Sequence, residues 1–277
     1  MLGELLKAVL AAVTAAATAV SATPMPEPDA ARLGPGPVVG ADISWPNCPK
    51  GLGIPSRETL GKPLPRGTAR FVVIGLTNGP AFHPNPCLAS HVEYARERQM
   101  WASAYAVATY PTDKQLRLYG DAGPRSDRTL RGRLYNSGYA QAKLNVAEMQ
   151  AVGLDSPAVW VDVEPVSPPA PWTARPRLNK PVVDGVLRAY RDAGLRVGFY
   201  SVATLWRQIM GGTRYGLPEW RSAGPTNQRR ALGMCRTGRF QGGRAVIGQW
   251  WDDDRDHNVL CPGTPAEDVL DHWFVKF

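Results

Sequence analysis

The chain has 277 residues, 44% of them hydrophobic, and a formal net charge of +8 at pH 7. This length can bury a full core, and α/β barrels routinely fill it as one domain. The positive charge fits an anionic polymer such as a bacterial cell wall, and charge for solubility is an equal alternative. Nucleic acid is not expected as a partner, because the arginines are scattered and no nucleic-acid-binding fold signature accompanies them.

The N-terminus has the three regions of a secretory signal peptide. Lys7 makes the start positive, residues 8–20 are apolar, and "VSA" (20–22) is a small-residue cleavage site. A membrane anchor is the alternative, but the apolar stretch is shorter than the roughly 20 residues that span a bilayer. We therefore expect a secreted or cell-wall-associated monomer, free of the membrane after cleavage. The expected organisation is a signal peptide (1–22), a Pro-rich linker (23–37) and one folded domain (38–277).

Strand-like and helix-like segments alternate through this domain. The predicted strands cover 38–44, 70–76, 102–109, 157–164, 196–201, a short segment near Trp220, 245–250 and 267–275. The predicted helices cover 87–100, 138–153 and 181–194. Such alternation favours a parallel sheet with right-handed crossovers. The number of strands and the lack of a Gly-rich phosphate loop favour an α/β fold that is a single TIM-type (β/α) barrel, regular or irregular.

The strand "AVWVDVEP" (158–165) carries two acids in an otherwise apolar run. Side chains alternate along a strand, so Trp160, Asp162 and Glu164 share one face and three valines share the other. Burying ionised carboxylates without partners is expensive. Either arginines neutralise these acids and close the barrel structurally, or a functional site needs them.

Polar and aromatic side chains follow the ends of the other predicted strands. In parallel α/β folds these ends meet at one rim, where active sites form. Indole rings stack on sugar rings, amides and acids bind hydroxyls, and a carboxylate pair can protonate a glycosidic oxygen. The sequence therefore predicts a glycan site, with Asp42, Asp162 and Glu164 as catalytic residues and Trp45, Asn78, Tyr200, Gln249, Trp250 and Asp271 as substrate-binding residues.

The four cysteines are an even number, which in an exported chain suggests disulfides. Three pairings are possible. We favour Cys48–Cys87, because both lie in loops just beyond the first two predicted strands, and Cys235–Cys261. No metal or other cofactor is expected, because no close cysteine or histidine pair remains. The run "DDDRD" (252–256) lacks the Gly and Glu of a calcium loop, so a solvated acidic loop is expected there.

Five motifs resemble, in order, the strand-end motifs of family 25 glycoside hydrolases: "GADISWPN" (40–47), "FVVIGLTNG" (71–79), "VWVDVEP" (159–165), "VGFYS" (197–201) and "IGQWW" (247–251). The chain is also similar to an uncharacterised glycoside-hydrolase-like domain of secreted actinobacterial proteins. The family 25 resemblance implies a secreted lysozyme that cleaves peptidoglycan between N-acetylmuramic acid and N-acetylglucosamine. It implies that Asp42 is the first-strand acid, that Asp162 and Glu164 are the Asp-x-Glu pair with Glu164 as general acid, and that Asp271 is the last-strand acid.

Two function classes follow from these observations. The first is an exported glycoside hydrolase acting on peptidoglycan or a related polysaccharide. The second is a non-catalytic glycan-binding module on the same barrel. A hydrolase needs one protonated and one ionised carboxyl at its working pH. We expect Glu164 to be the proton donor with a raised pKa, while Asp162 and Asp42 stay charged.

Overall fold

The computed structural model describes residues 36–166 and 172–277. The predicted signal peptide (1–22) and residues 23–35 of the predicted linker lie outside the described residues. Among the helices that are described, none combines the length and the apolar character needed to cross a membrane.

Within the described residues, eight strands close into a barrel, which confirms the predicted fold class. Their order around the barrel is β5-β4-β1-β10-β9-β8-β7-β6, and pairing of β5 with β6 closes it. The barrel strands are β1 (Val39–Ile43), β4 (Phe71–Gly75), β5 (Trp101–Val107), β6 (Ala158–Asp162), β7 (Arg196–Ser201), β8 (Glu219–Pro225), β9 (Ala245–Trp251) and β10 (Asp256–Leu260). The hairpin strands β2 (Gly53–Ile54) and β3 (Arg57–Glu58) lie outside the barrel, and β11 (Val275–Lys276) pairs with the start of β5.

One strand runs against the others. β10 is antiparallel to both of its neighbours, β1 and β9, whereas the remaining barrel pairs are parallel. Residues 252–255 are the whole connection from β9 to β10, so no helix is inserted between these two strands. The first residue of β10, Asp256, consequently lies opposite Asp42 near the end of β1. This reversal brings the start of β10 to the rim where the other strands end.

Seven α-helices occur in the described part of the chain. They are α1 (Leu88–Glu97), α2 (Asp113–Tyr119), α3 (Leu130–Ala151), α4 (Pro176–Asp192), α5 (Ala203–Met210), α6 (Gln228–Thr237) and α7 (Ala266–Trp273). The predicted helices at 87–100, 138–153 and 181–194 correspond to α1, α3 and α4, although α3 and α4 begin earlier than predicted. Pro181 lies inside α4, and Pro176 occupies its first turn, where a missing N–H costs nothing.

The predicted strand at 267–275 is wrong. Most of this segment is helix α7, followed by the short strand β11. Its buried residues Val269, Leu270 and Trp273 lie at helical spacing, and Glu267 and Asp268 occupy the first turn, where the helix dipole favours acids. The predicted acidic loop at 252–256 is also wrong at its end, because Asp256 begins β10.

The barrel interior is filled with aromatic side chains. Trp160 and Trp220 pack edge to face with ring centroids 6.3 Å apart, and Tyr105 packs on Trp220 at 5.6 Å. Gly198 makes room for Trp160, since a Cβ there would lie 2.3 Å from the indole ring. Because these rings occupy the middle of the barrel, its interior is a packed core and not a channel.

Two disulfides tie the chain together, Cys48–Cys87 and Cys235–Cys261. Both predicted pairings are confirmed. The first joins the segment after β1 to the start of α1, and the second joins α6 to the residue after β10. Disulfides of this kind are characteristic of proteins that fold in an oxidising, extracytoplasmic compartment.

Candidate active site

Four carboxyl groups meet at the rim where the parallel strands end. Asp42 is near the end of β1, Asp162 ends β6, and Glu164 follows two residues later. Asp256 reaches the same rim because β10 runs in the opposite direction. Electrostatic coupling links Asp42 to both Asp256 and Glu164, and Asp162 to both Glu164 and Asp42. The structure therefore brings the three predicted catalytic residues together and adds a fourth acid.

Asp42 is held by two amide side chains. Gln249 Nε2 and Asn258 Nδ2 both donate to Asp42 Oδ1, at 3.0 and 2.7 Å. Tyr200 OH donates to Gln249 Oε1, and Trp220 Nε1 donates to Asn258 Oδ1, each at 2.8 Å. An indole N–H can only donate, so it fixes the Asn258 amide with its NH₂ group toward Asp42. Tyr200 and Gln249, both predicted as substrate-binding residues, thus lie in the hydrogen-bond network of Asp42.

Two opposing effects act on the Asp42 carboxyl. Burial raises its pKa well above the usual range, and neighbouring Asp256 adds to that rise. The hydrogen bonds from Gln249 and Asn258 lower the pKa, because they stabilise the carboxylate form. Asp42 is therefore the carboxyl of this cluster that has dedicated donors for its negative charge.

Asp162 lies deeper and is only 2% exposed. Burial raises the pKa of its carboxyl well above the usual range, and the charges of Glu164 and Asp42 raise it further. This environment favours the protonated form, against the expectation that Asp162 stays charged. Among the described residues, its Oδ1 atom has no hydrogen-bond partner. A buried carboxyl oxygen without a partner is costly in a resting fold. The Oδ1 atom of Asp162 is therefore available to hydrogen-bond a ligand.

Glu164 lies at the mouth of the cluster and is half-buried. Desolvation raises the pKa of its carboxyl to about 7, Asp256 contributes to the rise, and the guanidinium of Arg57 opposes it. A carboxyl group that is half protonated near neutral pH can act as a general acid. The predicted raised pKa of Glu164 agrees with this environment.

Asp256 is the acid that the sequence analysis missed. Burial raises the pKa of its carboxyl, and the ammonium group of Lys62 opposes the rise. No polar/apolar alternation marks "DHNVL" (256–260), because its first three residues are all polar. Once the segment is a strand, Asp256 and Asn258 share the face that points into the barrel, and Asn258 contacts Asp42 there.

The β2–β3 hairpin brings a cation to the same rim. Arg57 on β3 lies next to Glu164, and its guanidinium lies 5.1 Å from the ring centre of Trp45. Asn78 holds this hairpin, since its Oδ1 accepts from Ile54 N at 2.8 Å and its Nδ2 donates to Arg57 O at 3.3 Å. Asn78 was predicted to bind substrate, but both of its side-chain polar atoms bind the hairpin backbone. Trp45 lies at the rim as predicted, beneath Arg57.

Trp250 does not face the cleft. On β9, Gln249 points inward to Asp42, so alternation turns Trp250 outward and Trp251 inward. Trp251 lies directly opposite Asp256 across the β9–β10 pair, which places it on the inner face. The motif "QWW" contains two adjacent indoles, and only strand register tells which one points inward.

Asp271 lies at the other end of the barrel. It is an exposed residue of α7, whose neighbour Trp273 packs on Trp160 with ring centroids 4.7 Å apart. The next residue, Phe274, packs on Phe71 at the start of β4. Asp271 therefore does not share a cleft with Asp42 and Glu164, because helix α7 packs at the opposite end of the barrel. The prediction for Asp271 assumed that this segment is a strand ending at the rim.

One group of metal-ligating side chains is close enough to surround an ion in the part of the chain that the structure describes. It consists of Cys48, Cys87 and His91. The two sulfurs are joined in a disulfide, so they are not available as thiolate ligands.

The comparisons with known proteins concern the family and the fold. A family model described as lysozyme-like protein 1 matches residues 130–220. None of the curated proteins matches the sequence.

Solved cell-wall lytic enzymes have a similar fold. A family GH25 lysozyme from Aspergillus fumigatus is 17% identical and has a TM-score of 0.52, covering 86% of this chain and 99% of its own. A bacterial lysozyme from Streptomyces coelicolor is 15% identical with the same TM-score, covering 86% and 98%. The spore cortex lytic enzyme SleM from Clostridium perfringens has a TM-score of 0.54 at 13% identity, covering 83% and 69%. This chain therefore has the irregular barrel fold of the GH25 lysozymes.

Proposed function

We propose that the chain is an exported glycoside hydrolase that cleaves glycan strands of cell-wall peptidoglycan or a related polysaccharide. The observation that carries this proposal is the Glu164 carboxyl, with a pKa of about 7, at the mouth of a cluster of three further acids. The fold supports it, because solved proteins with this barrel are named as lysozymes and muramidases. The two disulfides and the net charge of +8 suit work at an anionic wall outside the cell.

Glu164 acts as the proton donor in this proposal. Its protonated carboxyl transfers a proton to the glycosidic oxygen as the bond to the sugar ring breaks, and positive charge develops on the ring. Asp42 faces that charge; burial raises its pKa, and the amides of Gln249 and Asn258 oppose that rise by stabilising its ionised form. Asp162 forms a hydrogen bond with the substrate through its Oδ1 atom, which has no partner among the described residues.

The rim supplies surfaces that orient the glycan. Trp45 and Trp251 offer indole faces on two sides of the acids, and such faces stack on sugar rings. Arg57 lies between Trp45 and Glu164, where it also limits the rise in the Glu164 pKa. In this proposal a glycan in the cleft contacts these indoles, Arg57 and the carboxyl cluster together.

The direct test is release of reducing ends from purified peptidoglycan and from soluble polysaccharides. We expect Glu164→Gln to reduce turnover by about 10²- to 10⁴-fold, the usual contribution of a general acid. Its affinity for the glycan should be retained, because the proton is transferred only in the transition state. Asp271→Asn is the matched control, since this acid lies at the opposite end of the barrel. Equal turnover by Glu164→Gln and wild type would refute the assignment.

A non-catalytic glycan-binding module is the second candidate. It is favoured by one observation, the raised pKa of Asp42, Asp162 and Asp256 as well as Glu164. Protonated carboxyls donate hydrogen bonds to sugar hydroxyls but do not stabilise positive charge. Glycan binding by wild type without reducing-end release, weakened by Glu164→Gln, would establish this alternative.

Export and domain organisation belong to the same proposal. Residues 1–22 act as a cleaved signal peptide, 23–37 as a linker, and 38–277 as the catalytic domain of a monomer. Mass spectrometry of the mature N-terminus tests the cleavage site, and light scattering of the purified protein tests the monomer.

A further inference from the structure

A cavity of about 240 Å³ lies on the outer wall of the barrel, on the far side of β9 and β10 from the acids. It is called the outer groove here, and the residues that matter for its chemistry are Arg66, Thr68, Gln228, Trp250, Arg255 and His257. It lies on the wall formed by β1, β10 and β9, where residues 252–255 join the last two strands directly. The volume is below that of common drug-sized sites, which suits a single sugar unit.

The floor of the outer groove is aromatic. Trp250 and His257 are directly opposite each other across the β9–β10 pair, and their rings stack with centroids 5.1 Å apart and planes 14° apart. His257 Nε2 lies 2.7 Å from Asp252 Oδ2, which holds the imidazole in position. Trp250 is only half-buried, so part of its ring is open to the cavity. A fixed, partly open indole is a platform for the apolar face of a pyranose ring.

The rim of the outer groove is basic. Arg66 and Arg255 both line it, and Arg255 Nε donates to Leu64 O at 3.3 Å, which fixes the guanidinium. Of the described residues that line the cavity, none is an Asp or Glu. The catalytic cleft, by contrast, contains four carboxyl groups. An anionic group is therefore favoured in the outer groove and disfavoured in the cleft.

We propose that the outer groove is a second glycan-binding site that takes an acidic sugar unit. The pyranose ring stacks on Trp250, the carboxylate pairs with Arg66 and Arg255, and Gln228 and Thr68 supply neutral hydrogen-bonding groups. The choice of peptidoglycan strands as the polymer rests on the proposed function, whereas the preference for an acidic sugar rests on the groove itself. A second site of this kind keeps the protein on an insoluble polymer while the cleft acts on a nearby strand.

The test measures binding in the full mature chain carrying Glu164→Gln, so that hydrolysis does not complicate it. The acidic probe is peptidoglycan glycan strands with their peptides removed, which exposes a carboxylate on each muramic acid. The neutral probe is chitohexaose. We expect Trp250→Ala to weaken binding of the acidic strands about tenfold and to leave chitohexaose binding unchanged. Arg66→Gln should weaken acidic-strand binding at low salt, and the difference should shrink as salt rises.

Arg66→Gln also guards against misfolding, because Arg66 is exposed and its replacement leaves the barrel wall intact. Arg207→Gln, another exposed arginine, is the charge-matched control on α5 and should bind like the parent. Parent-like binding by both Trp250→Ala and Arg66→Gln would overturn the proposal. The proposal would also be overturned if a glycerol-phosphate polymer without sugar rings bound more tightly than the acidic strands and Trp250→Ala did not change its binding.

Reducing-end release by the wild type separates this inference from the proposed function. If no glycan is cleaved but Trp250→Ala still loses acidic-strand binding, the outer groove stands and the hydrolase proposal fails. If glycan is cleaved and the groove variants bind like the parent, the hydrolase proposal stands and the outer-groove proposal fails.

Discussion

The environment of Glu164 makes the folded protein sensitive to pH. Burial and Asp256 raise the pKa of this carboxyl from an ordinary 4.5 to about 7. A carboxyl with a higher pKa in the folded than in the unfolded chain binds its proton more tightly when folded. Its contribution to stability is therefore complete below pH 4.5 and is lost as the pH rises through about 7. A neutral side chain of the same shape would not lose stability as the pH rises.

We expect Glu164→Gln to be more stable than wild type at pH 8, by roughly 1 to 3 kcal/mol, since each pKa unit corresponds to about 1.4 kcal/mol. At pH 4 the two proteins should have the same free energy of unfolding, because Glu164 is then protonated in both states. Urea denaturation at the two pH values measures the difference. Asp271→Asn, an exposed acid, should show no such gain. Equal stability of Glu164→Gln and wild type at pH 8 would contradict the raised pKa.

Residues of the site were predictable where strand alternation alone decided their direction. Asp162 ends β6 and Glu164 follows two residues later, so alternation along an extended chain puts both on one side, and Asp42 lies near the end of β1 in the same way. Arg57 and Asp256 were not predictable, because a hairpin outside the barrel and an antiparallel strand bring them to the rim. Their approach to Glu164 is a consequence of tertiary structure, which local sequence does not encode.

At the scale of elements, a buried ion pair joins β8 to the chain around α6. Arg221 Nε donates to Glu219 Oε2 at 2.7 Å, and both side chains are buried. Glu219 also accepts hydrogen bonds from three backbone N–H groups within 240–243. Arg221 donates to three carbonyls, of Met234, Cys235 and Gly243. The pair therefore orders the end of α6 and the loop that leads into β9.

We expect Arg221→Met to lower the free energy of unfolding by about 3 to 5 kcal/mol, because it leaves the buried Glu219 carboxylate without its counter-ion. It also leaves three carbonyls without their donor. Urea denaturation with both disulfides intact measures the loss. Arg207→Gln, an exposed arginine on α5, should change stability by less than about 0.5 kcal/mol. A loss below about 1 kcal/mol for Arg221→Met would show that the loop is held by other contacts.

The elements that sequence identified best were the parallel strands buried on both faces. β4 has no polar side chain, β6 has only Asp162 at its end, and every residue in both strands is buried. α7 was mistaken for a strand because its short apolar stretch fits either period. β10 was missed because an acidic run precedes it and its first three residues are all polar.

At the scale of the whole molecule, the two ends of the barrel have separate roles. One end carries the carboxyl cluster, and the C-terminal segment closes the other. Trp273 is 3% exposed and packs on Trp160, while Phe274 packs on Phe71 with ring centroids 5.1 Å apart. The aromatic layer of Trp160 and Trp220 lies between this closure and the acids. Stability is therefore expected to depend on the closed end, and the chemistry of the carboxyl cluster on the open one.

This separation is tested by Trp273→Ala. Removing a buried indole should lower the free energy of unfolding by about 3 to 5 kcal/mol, because apolar contacts are lost and a cavity remains. Chitohexaose affinity and the pH at which Glu164 loses its proton should stay as in wild type at temperatures where the variant is folded, since the carboxyl cluster is untouched. Urea denaturation, calorimetric binding and NMR titration of the Glu164 carboxyl provide these three measurements. Leu118→Ala is the control, because it also truncates an apolar side chain but at a position that is 57% exposed. A folded Trp273→Ala protein with a shifted Glu164 titration would show that the two ends are coupled through Trp160.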